Sequence, residues 1–434
     1  MIPQTFIKAI ASEHRISSAE LEVLSLAMEG ESVATMAANL HISEDAVRKR
    51  LSEVYHKFHI EGRGPVKLTK LQQRLIRKYQ EQAELSTLVA QANHLQLQSS
   101  SASETTQAHN YLDWDSAPDV SVFYDRSQEL AILNDWIVNQ RCRLISLIGM
   151  GGIGKTALGV KLAQQIQEQF DYLIWRSLEQ APSLDQLLTD IIQVLHPQRE
   201  NQQIHGLNYK ISWLIAHCKA HRCLIILDGL ETLLLPKELV GTYAQSHENY
   251  SQFFRRFGEE NSKSCILVTS REQVREISFL QGETSPVRSL KILGLGENAK
   301  LLLKEKKLSG EGNWHSLIEI YGGNPLLLKL AATTIQEVFD GNVSDFLDAT
   351  LFPRNVTNFV RETLRRLSDI ELKVLREIAN QSQPILLKDL ITNLVNISGG
   401  DLISAVASLR QRSLLEKSAD GFIVSPVVRE VALS

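Results

Sequence analysis

Residues Gly149 to Thr156 read GMGGIGKT, with the spacing G-x-x-x-x-G-K-[ST]. That spacing serves one kind of chemistry, the holding of phosphate. Gly149, Gly151, Gly152 and Gly154 let successive backbone N–H groups point inward without a Cβ clash, and Met150, Ile153 and Ala157 complete an anion nest at a helix N-terminus. Lys155 is placed to reach the β- and γ-phosphates, and the Thr156 hydroxyl to ligate Mg²⁺. The flanks agree. An apolar run, LISLI, ends at Ile148, and the helical pattern KTALGVKLAQQI begins at Lys155.

A metal partner is expected at the end of a second buried strand, and RCLIILDGLE supplies Asp228 there. The competing reading is an aspartate that merely starts a helix. Hydrolysis also needs a carboxylate to orient water. The position after Asp228 is Gly229, so the nearest acid is Glu231, which acts as a base only if the turn brings it round and otherwise caps a helix or faces solvent. The sequence therefore supports slow hydrolysis at most. No Asn-Lys-x-Asp guanine reader occurs, which favours adenine and so ATP or ADP with Mg²⁺.

The elements that must position these residues follow from patterning. CRLISLI, DYLIWRS, RCLIILD and SCILVTS are short, β-branched-rich runs separated by helix-length segments, the signature of a parallel sheet with helices on both faces. From Leu290 onward strand signals fade and leucine-rich helical periodicity takes over. Near the end, two short extended runs flank Ala-Asp-Gly, a hairpin signal. Upstream, LQLQSSSASETTQAHN is polar, small and aperiodic, as a flexible linker is.

The order of motifs resembles the NB-ARC family of the STAND class of signalling ATPases. VFYDRSQELAILNDWI resembles the stretch that flanks the adenine, carried by Arg126, with Asp125 where the family has glycine. ILVTSRE is similar to the sensor motif and puts Arg271 where the γ-phosphate would be read. GGNPLLLKLAA resembles the Gly-x-Pro-Leu motif, whose proline, here Pro325, packs on adenine; the same proline also suits the first turn of a helix. Arg271 and Arg126 have plainer readings as a strand-end and a helix-flanking surface charge. The segment from about Phe359 resembles the family's winged helix, but Val424, Ser425 and Pro426 stand where a Met-His-Asp motif normally touches ADP. A neutral Ser425 contact is weaker than a charge-assisted one, so the inhibitory lock is expected to be looser or to lie on another surface.

Ile16 to Ile60 has helix-turn-helix logic. Ala34, Met36, Ala37 and Leu40 form an apolar face, His41-Ile42-Ser43 the turn, and Val47, Leu51, Val54 and Phe58 the inward stripe of the next helix. Arg48, Lys49, Arg50 and Lys57 are left outward, as donors to phosphates and guanine edges in duplex DNA. The segment is similar to the LuxR-type helix-turn-helix, with Ala46 where threonine is common. Residues 1–80 hold 12 lysine and arginine against 9 aspartate and glutamate. That surplus is modest, and Glu53 sits on the reading helix, so a protein-docking adaptor stays open beside DNA binding.

The remaining composition narrows the class. At 434 residues the chain suits two to four domains of roughly 100–200 residues. A net charge of −4 excludes a polyelectrolyte, so any nucleic-acid contact must be local. Four cysteines are too sparse for a disulfide scaffold, and no long apolar run suggests a membrane segment, which points to the cytoplasm. HCKAHRC gathers His217, Cys218, His221 and Cys223, but the run joins a helix to a buried strand and suits packing better than zinc.

The expected organisation is an all-α helix-turn-helix domain over 1–94, a flexible linker over 95–119, an α/β P-loop NTPase core over 120–289, a helical domain over 290–355 and a winged-helix domain over 356–434. The resemblance implies an ATP/ADP switch whose nucleotide state controls self-association into a homo-oligomer and presents the N-terminal domain to DNA. An interaction scaffold with a protein-binding head, and a turnover ATPase, are the other readings. Family members usually carry a sensor after the winged helix, so the sensor is expected to be a separate protein, or the chain a truncated member.

Overall fold

The structure is a computed structural model that describes residues 10–11, 16–28, 31–58, 60, 67–68, 70–71, 75, 111–114, 117–196, 206–349 and 352–434. The chain divides into two compact units, Met1–Thr105 and Thr106–Ser434.

Among the described residues of the first unit, the helices α1 (Ser18–Met28), α2 (Val33–Leu40) and α3 (Glu44–Lys57) surround a small core. Ser32 and Ser43 cap α2 and α3, each hydroxyl accepting the N–H three residues on. His41 ends α2 in the left-handed region, and its N–H donates to the Ala37 and Ala38 carbonyls. Val47, Leu51, Val54 and Phe58 are buried, as their spacing requires, against Val23, Leu24, Ala27, Met36 and Ala37. Ala34 departs from expectation and is exposed, because the short α2 buries only Met36 and Ala37.

The second unit is built on a six-stranded, all-parallel sheet in the order β1-β3-β4-β5-β2-β6. The strands are β1 (Tyr111–Asp113), β2 (Leu144–Ile148), β3 (Tyr172–Ser177), β4 (Cys223–Asp228), β5 (Cys265–Ser270) and β6 (Val287–Lys291). Side chains alternate between two cores. Cys223, Ile225 and Leu227 of β4 face α6 (Leu184–Leu195), α7 (Leu207–Ala220) and α8 (Asn249–Glu259), whereas Leu224 and Ile226 face α4 (Ser127–Asn134) and α5 (Lys155–Ile166). Two edge strands were not anticipated. Tyr111–Asp113 pairs with β3 inside the stretch read as linker, so ordered structure begins before residue 120, while residues 95–110 lie outside the described residues. Val287–Lys291 (VRSLK) lies on a sheet edge, carries only two apolar residues, and lacks the apolar run of a central strand.

A single helical core continues from α10 (Ala299–Glu305), α11 (Trp314–Ile320), α12 (Pro325–Val338), α13 (Val343–Asp348) and α14 (Arg354–Leu364) into the C-terminal module. That module comprises α15 (Asp369–Asn380), α16 (Leu387–Asn393), α17 (Gly399–Gln411), the antiparallel pair β7 (Glu416–Ser418) and β8 (Gly421–Ile423), and α18 (Pro426–Leu433). The short helix α9 (Arg275–Leu280) follows β5. Among the described residues no helix is long and apolar enough to cross a membrane.

Where the sheet hands over to the helices, two backbones nearly touch. A Cβ on Gly294 would lie 2.0 Å from the Gly322 carbonyl oxygen. Gly294→Ala should therefore cost about 1–3 kcal/mol of stability, read from denaturant unfolding, because the obstructing atoms, Gly322 O and C and Gly323 Cα, are all backbone. Gly312→Ala, where a Cβ meets nothing within 4 Å, should stay within about 0.5 kcal/mol of the parent chain.

Candidate functional site

A cavity of about 850 Å³ opens at the C-terminal ends of β2, β3 and β4, the place where open parallel sheets receive ligands. Gly151 through Ala157 form its floor, Pro118 to Tyr124 and Arg126 one wall, and Leu295, Pro325, Leu326, Lys329 and Arg366 another.

The loop's form follows from its glycines. Gly152 and Gly154 sit at φ +76° and +102°, and a Cβ on Gly152 would also lie 2.5 Å from Leu326 Cβ. Gly149 and Met150 lie below the lining, where their carbonyls accept the Lys155 ammonium at 2.8 and 3.1 Å. Lys155 is 7% exposed, and burial pushes its ammonium down to about 8 despite the opposing charge of Glu231. At the next residue the Thr156 hydroxyl donates to Asp228 Oδ1 at 2.8 Å, and Thr269 donates to the same oxygen at 2.5 Å. Burial raises the Asp228 carboxyl, and these two hydroxyls oppose the rise. Paired hard oxygens of this kind, one of them a buried carboxylate, suit a small divalent cation.

Asp228, Glu231, Arg271, Pro325 and Arg126 all line the cavity with the loop. Glu231 is turned toward Arg271: its Oε1 lies 3.0 Å from Arg271 Nε, and its Oε2 accepts the Arg271 backbone N–H at 3.2 Å. Arg126, 4% exposed, donates to the Ile153 carbonyl at 2.9 Å and pairs with Glu129, so it braces the loop from behind. Pro325 takes the first position of α12, where Asn324 is the N-cap.

Asn324, beside the cavity, and Thr269 and Arg366, which line it, escaped the sequence reading. Asn324 donates from Nδ2 to the Gly151 carbonyl at 2.9 Å while its Oδ1 accepts the Leu326 and Leu327 N–H groups. Its signal was the Asn-Pro step, read only for the proline. Thr269 stood in the sensor stretch, read only for Arg271. Arg366 has no local motif. Ser425 is outside the lining and simply precedes α18, with no side-chain cap bond.

His217 packs on Trp213, with ring centroids 5.1 Å apart, and against Tyr172 and His221. Burial lowers its ring to about 3, and Cys223 points into the sheet core. Among the described residues no group of three or more His, Cys, Asp or Glu gathers to hold a metal.

On α3 the four cations differ from one another. Lys49 is exposed. Arg48 is exposed but paired with Glu44 at 2.6 Å and Asp45 at 2.9 Å. Arg50 and Lys57 fold back toward α1: Arg50 lies 3.9 Å from Glu22, and Lys57 donates to Glu20 at 2.6 Å. Their expected outward placement is corrected, since α1 offers these two long side chains acidic partners across the helix pair.

The parallel sheet, with β5 inserted between the loop strand and the Asp228 strand, and the glycine loop with its lysine define a P-loop nucleotide-binding fold. Residues 126–306 match the NB-ARC domain, and residues 14–66 match the bacterial regulatory proteins of the luxR family. The chain thus carries an NB-ARC domain on a P-loop fold, with an N-terminal LuxR-family helix-turn-helix domain. NB-ARC domains bind adenine nucleotide. An uncharacterized WD repeat-containing protein of Nostoc sp. (strain PCC 7120) is 39% identical over 341 residues, 75% of this chain and 27% of that protein. The chain therefore spans about a quarter of that relative's length. Among solved structures, a STAND protein with a tetratricopeptide repeat sensor from Pyrococcus horikoshii is 18% identical, covering 74% of this chain and 44% of that one with a TM-score of 0.41. A Walker-type ATPase of Pyrococcus abyssi is 16% identical over 71% of this chain and 96% of its own, with a TM-score of 0.44.

The lowered Lys155 ammonium has a consequence for binding. Phosphate held against it favours the charged form, so above pH 8 binding must take up a proton. Affinity for a fluorescent ADP should be level below pH 8 and fall above it, by up to about tenfold per pH unit. A flat profile from pH 7 to 9.5 would contradict this placement of the ammonium.

Proposed function

We propose that the chain is an ATP/ADP switch whose nucleotide state controls self-association and thereby presents its helix-turn-helix domain to duplex DNA. In this reading Gly149 to Ala157 cradle the phosphates, and Lys155 contacts the β- and γ-phosphates. Thr156 and Asp228 hold Mg²⁺, which shields phosphate charge. Arg271 reads the γ-phosphate, and Arg126 and Pro325 flank the adenine. The observation that carries the reading is the composition of the cavity: its walls come from the loop, the Val122–Arg126 segment, the helical segment and Arg366 at the entry to the C-terminal module. A ligand there would touch the loop, the segment before it, the helical segment and the entry to the C-terminal module at once, which gives it a means of differential affinity between two states. Glu231, engaged by Arg271, is poorly placed to activate water, so hydrolysis is slow. The setting is cytoplasmic.

A second reading has its own support. The exposed face of α3 carries Glu44, Asp45 and Glu53 against Arg48 and Lys49, a surface that also suits a protein partner in a signalling scaffold. Capture of a partner that survives nuclease treatment would favour it.

Two measurements test the switch. Lys155→Ala should abolish retention of ADP through gel filtration and lower the melting temperature of the purified chain toward that of nucleotide-stripped protein; unchanged retention refutes the site. In filter binding, duplex DNA affinity should fall steeply with salt, and Arg48→Ala with Lys49→Ala should reduce the salt slope by about 1–2. Absence of DNA binding at low salt in every nucleotide state removes the DNA arm.

A further inference from the structure

The residue after Arg271 is Glu272, a carboxylate 3% exposed. Its Oε1 accepts Arg366 Nε at 2.7 Å and Arg412 Nη1 at 2.5 Å, both from the C-terminal part of the chain. Its other oxygen, Oε2, is buried with no hydrogen-bond partner. Arg412 is anchored from behind by Glu371, which is fully buried and lies 2.9 Å from Arg412 Nε. Arg366 also reaches toward the cavity: its Nη2 donates to the Glu231 and Leu234 carbonyls at 2.9 and 3.2 Å, and its side chain lines the cavity, whereas Arg412 Nη2 donates to the Glu238 carbonyl at 2.7 Å.

We propose that Arg366 and Glu272 set the discrimination between nucleoside diphosphate and triphosphate, Arg366 acting as a positioning residue between the sensor side of the cavity and the C-terminal module. This deepens the switch reading and rests on it. A third phosphate brings additional negative charge to the side of the cavity held by Arg271 and Glu231. It competes with Glu231 for Arg271 and draws on Arg366, whose guanidinium already donates to the Glu231 carbonyl. Removing Arg366 leaves Glu272 a buried carboxylate held by Arg412 alone, its second oxygen still unpaired. Breaking a buried ion pair by losing one partner is strongly unfavourable, whereas releasing all the charges to water together is close to neutral. The stable responses are therefore two: everything paired and closed, or everything hydrated and open. A diphosphate leaves the first intact. The contact also gives the closed state a charged anchor that does not use the position held by Ser425.

The test measures dissociation constants of fluorescent ADP and of a non-hydrolysable ATP analogue, with Mg²⁺, on the full chain and on Arg366→Gln, Arg366→Lys and Glu272→Gln. The parent chain should prefer the diphosphate. Arg366→Gln and Glu272→Gln should reduce that preference on the order of tenfold, a usual size for coupling between sites, with faster ADP release. Arg366→Lys should keep part of it. Arg365→Gln, one residue away on an exposed side chain paired with Glu362, should change nothing. A preference within about twofold of the parent in both neutral variants, with cooperative melting retained, overturns the proposal. Arg366→Gln alone decides if Glu272→Gln does not fold. A parent chain that binds neither nucleotide refutes the site reading itself, a failure distinct from loss of the Arg366 effect in a chain that binds both.

Discussion

A buried ammonium sits at the centre of this molecule. Lys155 is enclosed by its own loop and held by two carbonyls that offer partial, not full, negative charge. A desolvated cation in that position is unfavourable, as its lowered proton affinity records. It is also a ready partner for phosphate. The glycines that let the loop close, the strand that ends at Ile148 and the helix that begins at Lys155 all serve to keep that charge at one point. The two threonines on Asp228 keep a carboxylate ready nearby.

Around that point the chain places charges that can be satisfied in more than one way. Arg271 rests on Glu231, Arg366 on Glu272 and on the Glu231 backbone, and Arg412 between Glu272 and Glu371. Apolar contacts would have held the C-terminal module equally well. Buried ion pairs add little net stability compared with such contacts, but they impose an all-or-none character on opening, because a half-broken pair is the costliest arrangement. Module and site thus share one set of charges, and a nucleotide bound in the cavity would alter its balance.

Much of this was legible in the chain itself. The central strands declared themselves by unbroken apolar runs, because both faces of a parallel sheet are covered. Arg126, Asp228, Arg271 and Pro325 stood in ordered motifs and converge on one cavity. What escaped has a physical reason in each case. Tyr111–Asp113 and Val287–Lys291 are edge strands with one neighbour, so their patterning is weak. Arg366 and Glu272 are 94 positions apart in sequence, and no local spacing links them. On α3 the charge types were readable, but not that Arg50 and Lys57 would find acids on α1, since that depends on how two helices cross.

In the proposed switch an adenine nucleotide resides at Lys155 and its identity sets the assembly state. Native mass spectrometry of the purified chain reads both at once. Such a switch should show one nucleotide per chain, mainly ADP, on the smallest species, and a shift to larger assemblies after exchange for a non-hydrolysable ATP analogue. A chain that carries no nucleotide after purification and takes up neither, or that shows the same distribution of assemblies with each, would contradict it.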